Sequence, residues 1–286
     1  MAAKLKTVIS ASRRTDLPRF HYRWLQDALR AGEAVVANPR FPETAYRVDL
    51  RPHNIHTIVL WSKDFANVLA DPGLLTGHNL YFHYTINNYS PRLEPGVPPY
   101  AASLRTLEGL LARHRPEQFT IRFDPVIIST GGELQPTPGK PGRARLAAFE
   151  TLCRDLAALG MRGCRLTTSY IALYPHVKKH LAAAGGLGLV PLAGDTLALF
   201  FARLAETAAA HGLTLHSCAS PLLAAVPGLA PGRCIDGVLL AALAGEKASL
   251  ASDSGQRAAC GCTKSVDIGG YGQSCGFNCL YCYGRR

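Results

Sequence analysis

Apolar positions in this chain fall into short continuous runs that alternate with longer periodic ones. The short runs are "TVISAS" (7–12), "AVVANP" (34–39), "HTIVLWS" (56–62), "NLYFHYTI" (79–86), "QFTIRFDP" (118–125), "GCRLTTSY" (163–170) and "LTLHSCAS" (213–220). Most are rich in β-branched or aromatic residues and nearly unbroken, as expected of strands covered on both faces. The longer runs predict helices. "YRWLQDALRAG" ends at Gly32, a C-cap signal. "AASLRTLEGLLARH" sets Leu104, Leu107 and Leu111 on one face, and "RARLAAFETLCRDLAALG" sets Leu146, Phe149, Leu152 and Leu156 together. "GDTLALFFARLAETAAAHG" and "IDGVLLAALAG" follow.

Strand–helix alternation of this kind argues for βαβ units and a parallel sheet. Seven strands predict an α/β fold, a full or partial (β/α) barrel over residues 1–248. An open doubly wound sheet is the other architecture with this pattern, but no glycine fingerprint follows the first strand. Two stretches depart from the alternation. "STGGELQPTPGKPG" (129–142) holds three prolines and four glycines and reads as a loop or lid. Residues 249–286 are polar and rich in cysteine and glycine, so they read as an irregular segment closing onto the barrel mouth.

In parallel α/β folds, ligands bind at the C-terminal ends of the strands. Here the first strand runs into Ser12, Arg13, Arg14, Thr15 and Asp16, and the third ends in Trp61, Ser62, Lys63 and Asp64. The fourth gives His83, Thr85, Asn87 and Asn88; the fifth, Arg122 and Asp124; the sixth, Thr167, Thr168, Ser169 and Tyr170; the seventh, His216, Ser217 and Cys218. Six strands ending this way predict a polar mouth, with Arg13, Arg14, Asp16, Lys63, His83, Arg122 and Asp124 as its candidate catalytic and binding residues. Adjacent arginines suit a carboxylate or phosphate, which guanidinium groups bind bidentately. Asp16 and Asp124 can serve a ribose or amine, or pair with those arginines.

Composition narrows the class. The 286 residues are 48% hydrophobic and 18% charged, which suits a globular protein with a sizeable core. No apolar run reaches membrane-spanning length, and "TVISAS" is too short for a secretory h-region, so a cytoplasmic protein without a membrane partner is expected. The net charge of +11 permits attraction to nucleic acid or an anionic small-molecule substrate, but lysine and arginine are scattered rather than blocked.

Nine cysteines in such a chain point to metal or redox chemistry rather than structural disulfides. Cys153, on the apolar side of a predicted helix, and Cys164, opening a strand, read as small buried hydrophobes. Five others lie between Cys260 and Cys282. Thiolate selects zinc or iron–sulfur centres. A structural zinc site usually pairs C-x2-C units, and within the run Cys275, Cys279, Cys282 only the last two form one. Three close cysteines suit a cubane cluster with one iron left open to a small molecule. The neighbouring glycines of "DIGGYGQSCGFN" let backbone N–H groups approach cluster sulfurs.

Cys275-x3-Cys279-x2-Cys282, with Tyr281 before the last cysteine, resembles the signature of the radical S-adenosylmethionine enzymes. The resemblance implies a 4Fe-4S cluster on those three cysteines and S-adenosyl-L-methionine chelated to its fourth iron. It also implies reductive cleavage to a 5′-deoxyadenosyl radical, an electron donor such as flavodoxin or ferredoxin, and a full or partial barrel. Tyr281 or Tyr283 would then pack against the adenine. The order departs from that superfamily, which carries its cysteines after the first strand. "GGE" (131–133) looks like the superfamily's amine-binding motif but falls in the proline-rich loop.

The whole chain resembles a narrower family of uncharacterised bacterial proteins classed as a domain of unknown function. The matching stretches are "SASRRTDLPRF", "HTIVLWSKD", "YFHYTINNYS", "RFDPVI", "CIDG" and "CGCTKSVDIGGYGQSCGFNCLYCY". A fainter likeness is to spore photoproduct lyase-like proteins.

Cys218, Cys234, Cys260 and Cys262 could hold a second centre, either a further 4Fe-4S cluster or zinc, since four thiolates suit both. The leading expectation is therefore a radical S-adenosylmethionine enzyme of unassigned substrate. The alternatives are a zinc- or iron–sulfur-stabilised nucleic-acid-binding protein and a DNA-lesion lyase.

Overall fold

The computed structural model describes residues 5–39, 41, 43–131, 133, 140 and 142–285. Among the described residues ten strands are formed: β1 (Thr7–Ala11), β2 (Glu33–Ala37), β3 (Ala45–Asp49), β4 (Ile55–Ser62), β5 (Leu80–Thr85), β6 (Phe119–Val126), β7 (Arg165–Tyr170), β8 (Thr214–Ser217), β9 (Ala230–Pro231) and β10 (Val266–Asp267). Eight α-helices accompany them among the described residues: α1 (Leu17–Phe20), α2 (Tyr22–Ala31), α3 (Ala66–Ala70), α4 (Tyr100–Leu111), α5 (Arg143–Ala158), α6 (Pro175–Ala183), α7 (Gly194–Ala210) and α8 (Gly237–Ala244). The main sheet has eight strands in the order β10-β1-β4-β5-β6-β7-β8-β9. The chain divides into two compact units, one of Met1–Tyr84, Arg105–Phe119 and Arg233–Cys275, the other of Thr85–Leu104, Thr120–Gly232 and Gly276–Arg286.

In the first unit β10, β1, β4 and β5 pair in parallel, with Ser10 opposite both Asp267 and Val59, and Trp61 opposite His83. β4 is buried at all but one of its eight positions, and the remaining Trp61 is half-buried. Such unbroken burial is why these strands read as continuous apolar runs. Phe82 stacks on Phe119 at 4.7 Å and meets Phe65 edge-on, an aromatic cluster at the centre of this core. One helix here ends where its sequence predicts, and another opens on a side-chain cap. α2 stops at Gly32, left-handed at φ 72°, and α8 starts at Asp236, whose carboxylate accepts from the Val238 and Leu239 N–H groups.

In the second unit β6, β7, β8 and β9 are parallel, with Phe123 opposite Thr168 and Thr168 opposite Ser217. A register shift after Phe123 interrupts the β6–β7 ladder around Asp124. Phe149, Leu152 and Leu156 of α5 are buried, and the Phe149 ring lies 4.8 Å from Phe123. Each such side chain contributes about 1.5–3 kcal/mol through burial.

Two expectations need correction. Among the described residues the fold is α/β with a large parallel sheet, and the full, closed form of the expected barrel is not seen. The run at 34–39 does not join that sheet: β2 pairs antiparallel with β3, Val36 opposite Tyr46. Ala34 and Val36 are buried while Val35 is exposed, the one-sided burial of an antiparallel hairpin. Cys153 and Cys164 are buried as expected. Most of the 129–142 loop lies outside the described residues. No helix among the described residues is long and apolar enough to cross a membrane.

Candidate functional site

In the first unit the residues after β1 form a hydrogen-bonded knot. Asp267 of β10 accepts from Ser10 Oγ (2.9 Å), Ser12 Oγ (2.6 Å), and the backbone N–H groups of Arg13 (2.8 Å) and Gly269 (3.0 Å). Arg13 reaches Ser265 Oγ at 3.3 Å and Asp253 at 3.6 Å, and its guanidinium lies 5.6 Å from the centre of the Trp61 ring. Arg14 donates to the Gly269 carbonyl at 3.0 Å. Asp16 pairs with neither arginine. It caps α1 through the Arg19 N–H and accepts from Ser62 Oγ and the Lys63 N–H. Burial pushes its carboxyl up to about 7 against those donors, with the Asp64 charge adding to the rise.

The next two strands carry a ring pair. His83 stacks on Trp61 at 4.0 Å and 11°, Trp61 Nε1 donates to Ser10 Oγ, and His83 Nε2 sits 2.6 Å from the Cys234 carbonyl oxygen. Of the predicted mouth residues, Arg13, Arg14, Asp16, Lys63 and His83 thus belong to the first unit. Arg122 and Asp124 belong to the second, where they form an ion pair with each other, and Ser169 Oγ donates to Asp124.

The second unit also holds a buried polar network that sequence reasoning missed. Tyr281 donates its phenol proton to Glu94. The Asn87 amide nitrogen lies 3.0 Å from Glu94 Oε1, 2.9 Å from the Tyr281 oxygen and 3.1 Å from the Asp124 carbonyl, while Asn87 Oδ1 accepts from the Asp124 N–H at 2.7 Å. Burial, then the Glu94 charge, holds the Tyr281 phenol well above its ordinary pKa. Tyr281 was a candidate for packing against adenine; its ring is buried, edge-on to Tyr89, and committed to this network. Tyr283 is exposed. Glu133, of the "GGE" stretch, pairs instead with the fully buried Arg145 at 3.4 Å.

This network fastens the thiol-bearing segment. Leu280 N–H donates to the Leu93 carbonyl and Gly96 N–H to the Phe277 carbonyl, both at 3.0 Å. The backbones approach so closely that a Cβ on Gly96 would lie 2.5 Å from the Gly276 oxygen. Cys279 and Cys282 share one turn, Cys282 N–H donating to Cys279 O, and Asn278 between Phe277 and Cys279 adopts φ 53°. Cys279 is buried; Cys275 and Cys282 are half-buried. None of the nine cysteines, all of them described, is in a disulfide. Among the described residues, no three His, Cys, Asp or Glu side chains converge as ligands of a single ion. A cubane asks for something else: three soft donors spaced along irregular backbone, with N–H groups near the sulfurs. Cys275 belongs to the first unit and Cys279 and Cys282 to the second, and all three lie outside every helix and strand.

The second proposed cysteine set divides. Cys234, Cys260 and Cys262 lie in the first unit and Cys218 in the second. The Cys262 thiol is hydrogen-bonded to both Cys234 and Cys260.

Fold and site together define an α/β protein with a large parallel sheet, whose second unit holds the Cys279–Cys282 turn through a buried polar network. The chain belongs to the family described as domain of unknown function DUF1848, whose model matches residues 8–284. That match spans every stretch on which the whole-chain resemblance rests. No curated protein matches the chain, and neither does any solved structure.

Proposed function

We propose that this protein is a radical S-adenosylmethionine enzyme whose Cys275, Cys279 and Cys282 hold a 4Fe-4S cluster. The observation that carries this reading is the fastening of the Cys279–Cys282 turn. An irregular, glycine-rich stretch has no packing reason to be tied down by a buried Tyr–Glu–Asn network, whereas a ligand loop must be held to fix the spacing of its thiols. When bound, the cluster and S-adenosyl-L-methionine supply a one-electron reductive cleavage that yields methionine and a 5′-deoxyadenosyl radical. The chain's own contribution is placement. Glu94 and Asn87 fix Tyr281, and Tyr281 fixes the backbone between Cys279 and Cys282. Burial of Cys279 and Phe277 keeps water from one side of the turn. The half-buried Arg122–Asp124 pair offers a cation and an anion to a polar ligand.

Anaerobic reconstitution with iron and sulfide tests the reading. The expected result is a brown protein with about four irons per chain at this motif. It should release 5′-deoxyadenosine with a reductant, and Cys282→Ala should lose both properties. A colourless protein that takes up zinc alone would overturn the proposal.

A further inference from the structure

A second group of thiols lies in the first unit, apart from the motif above. Cys234 stands just before the Asp236 cap of α8, and Cys260 and Cys262 lie in the irregular stretch that leads to β10. Cys262 is hydrogen-bonded to the thiols of both others. Cys234 and Cys262 are buried, and Cys260 is half-buried. Three contacts fix this arrangement. Ile235 N–H points at Cys262 Sγ, 3.4 Å away. Thr263 N–H donates to Ile235 O at 2.9 Å, and Asp253 N–H to Cys262 O at 3.0 Å. On the other side His83 Nε2 holds the Cys234 carbonyl at 2.6 Å.

We propose that Cys234, Cys260 and Cys262 form a three-thiolate site for a single thiophilic divalent ion, zinc being the matching ion, with the fourth position open on the half-buried Cys260 side. Packing does not explain the group. Two buried thiols and a half-buried third, bonded to one another beside polar loop backbone, gain little as hydrophobes. Spacing decides between one ion and a cubane. With Zn–S near 2.3 Å, the sulfurs of a tetrahedral site stand about 3.8 Å apart, which is thiol hydrogen-bond contact distance. The sulfurs that grip a cubane stand farther apart than that. A backbone N–H aimed at a ligand sulfur is the outer support that steadies a metal thiolate. Among the described residues no three ligand side chains converge on one point, so the ion must draw the three thiols together and displace their protons. Binding exchanges those protons for the ion: each Cys–S–H loses H⁺ to solvent, three S–Zn bonds form, and no electron moves. Bound there, the ion ties α8 to the stretch before β10. Cys218, earlier grouped with these three, lies in the other unit and is not needed.

The test uses the full chain with Cys275, Cys279 and Cys282 changed to serine, so that the C-terminal motif contributes nothing. The reduced, metal-stripped protein is titrated anaerobically with Co²⁺ and then Zn²⁺. The expected outcome is uptake of about one ion per chain, with sulfur-to-cobalt charge transfer and the intense visible bands of tetrahedral cobalt. Zinc should displace the cobalt, and the further change Cys262→Ser should abolish uptake. If the triple variant does not fold, Cys262→Ser is made in the otherwise unaltered chain, and bound zinc should fall by about one per chain. No uptake by folded protein, uptake indifferent to Cys262→Ser, or a disulfide among these three in freshly purified protein would each overturn the proposal. Because the C-terminal motif is absent from the main variant, failure here is independent of failure of the iron–sulfur reading.

Discussion

Tyr281 donates its phenol proton to the buried carboxylate of Glu94, and Asn87 holds the same phenol oxygen at 2.9 Å. A residue between two cysteines of the motif is thus tied to a turn nearly two hundred positions earlier in the chain. Removing the hydroxyl leaves Glu94 and Asn87 short of a buried partner, which costs about 1–3 kcal/mol. Tyr281→Phe should therefore lower the urea midpoint modestly and reduce iron incorporation on reconstitution. Glu94→Gln, which keeps an acceptor oxygen at the site, should do less of both. If Tyr281→Phe takes up iron as the unaltered protein does, the network has no part in holding the turn.

Gly96 gives an independent way to loosen the same segment. Its Cβ position is blocked by backbone on two sides, 2.5 Å from the Gly276 oxygen and 2.9 Å from the Phe277 Cα. Backbone cannot swing aside as a side chain can, so Gly96→Ala must push residues 276–277 away and break the Gly96–Phe277 hydrogen bond. The expected outcome is faster amide exchange at Leu280 and Cys282, with the exchange of β7 and β8 amides unchanged. The destabilisation should be about 1–3 kcal/mol, as for other overpacking substitutions.

Arg145 is wholly buried in α5, with its guanidinium 4.2 Å from the Tyr89 ring centre and 4.1 Å from that of Phe123. It pairs with Glu133 at 3.4 Å and donates to the Asn87 carbonyl. Burial raises the Glu133 pKa, and Arg145 opposes that rise. Arg145→Met strips a buried carboxylate of its cation and should cost about 3–5 kcal/mol at neutral pH. Glu133→Gln should cost less, because the guanidinium keeps its carbonyl partner and its two aromatic faces. The double variant, measured by urea unfolding, should be less destabilised than the sum of the two single changes.

How much of this was legible in the sequence follows from how each element is stabilised. β1, β4 and β5 are runs buried along nearly their whole length, and β6–β8, though half-open to solvent at several positions, keep enough β-branched and aromatic residues to be readable as strands. β9 and β10 have two residues each and gain their strand character only from neighbours, so no local pattern marks them. β3 alternates along a hairpin whose partner looked like a core strand. In α5 the apolar pattern favours Leu146 as a core position, yet the fully buried side chain is the adjacent Arg145. Its charge is met by Glu133, and no helical period records that pairing. The cysteines were legible as chemistry because few other roles fit them there. Glu94 was not, because a single acid in "RLEPG" looks like any surface turn until Tyr281 arrives beside it.

Asp16 carries the clearest pH signature. Its carboxyl rises from 3.8 to about 7, through burial first, with Asp64 adding to the effect and the donors from Ser62, Lys63 and Arg19 opposing it. Arg19 meanwhile pairs with Asp64 at 3.1 Å. Between those two values the folded protein binds more protons at this site than the unfolded chain does. Stability from Asp16 is therefore complete below about pH 4 and is lost as the pH rises through about 7, by roughly 4 kcal/mol at most. Asp16→Asn removes the titration but keeps an acceptor oxygen for Ser62 or a backbone N–H. The difference in unfolding free energy, unaltered protein minus variant, should be larger at pH 4.5 than at pH 7.5. A difference that is flat, or that grows as the pH rises, would mean that Asp16 is ionised throughout and that its three donors outweigh its burial.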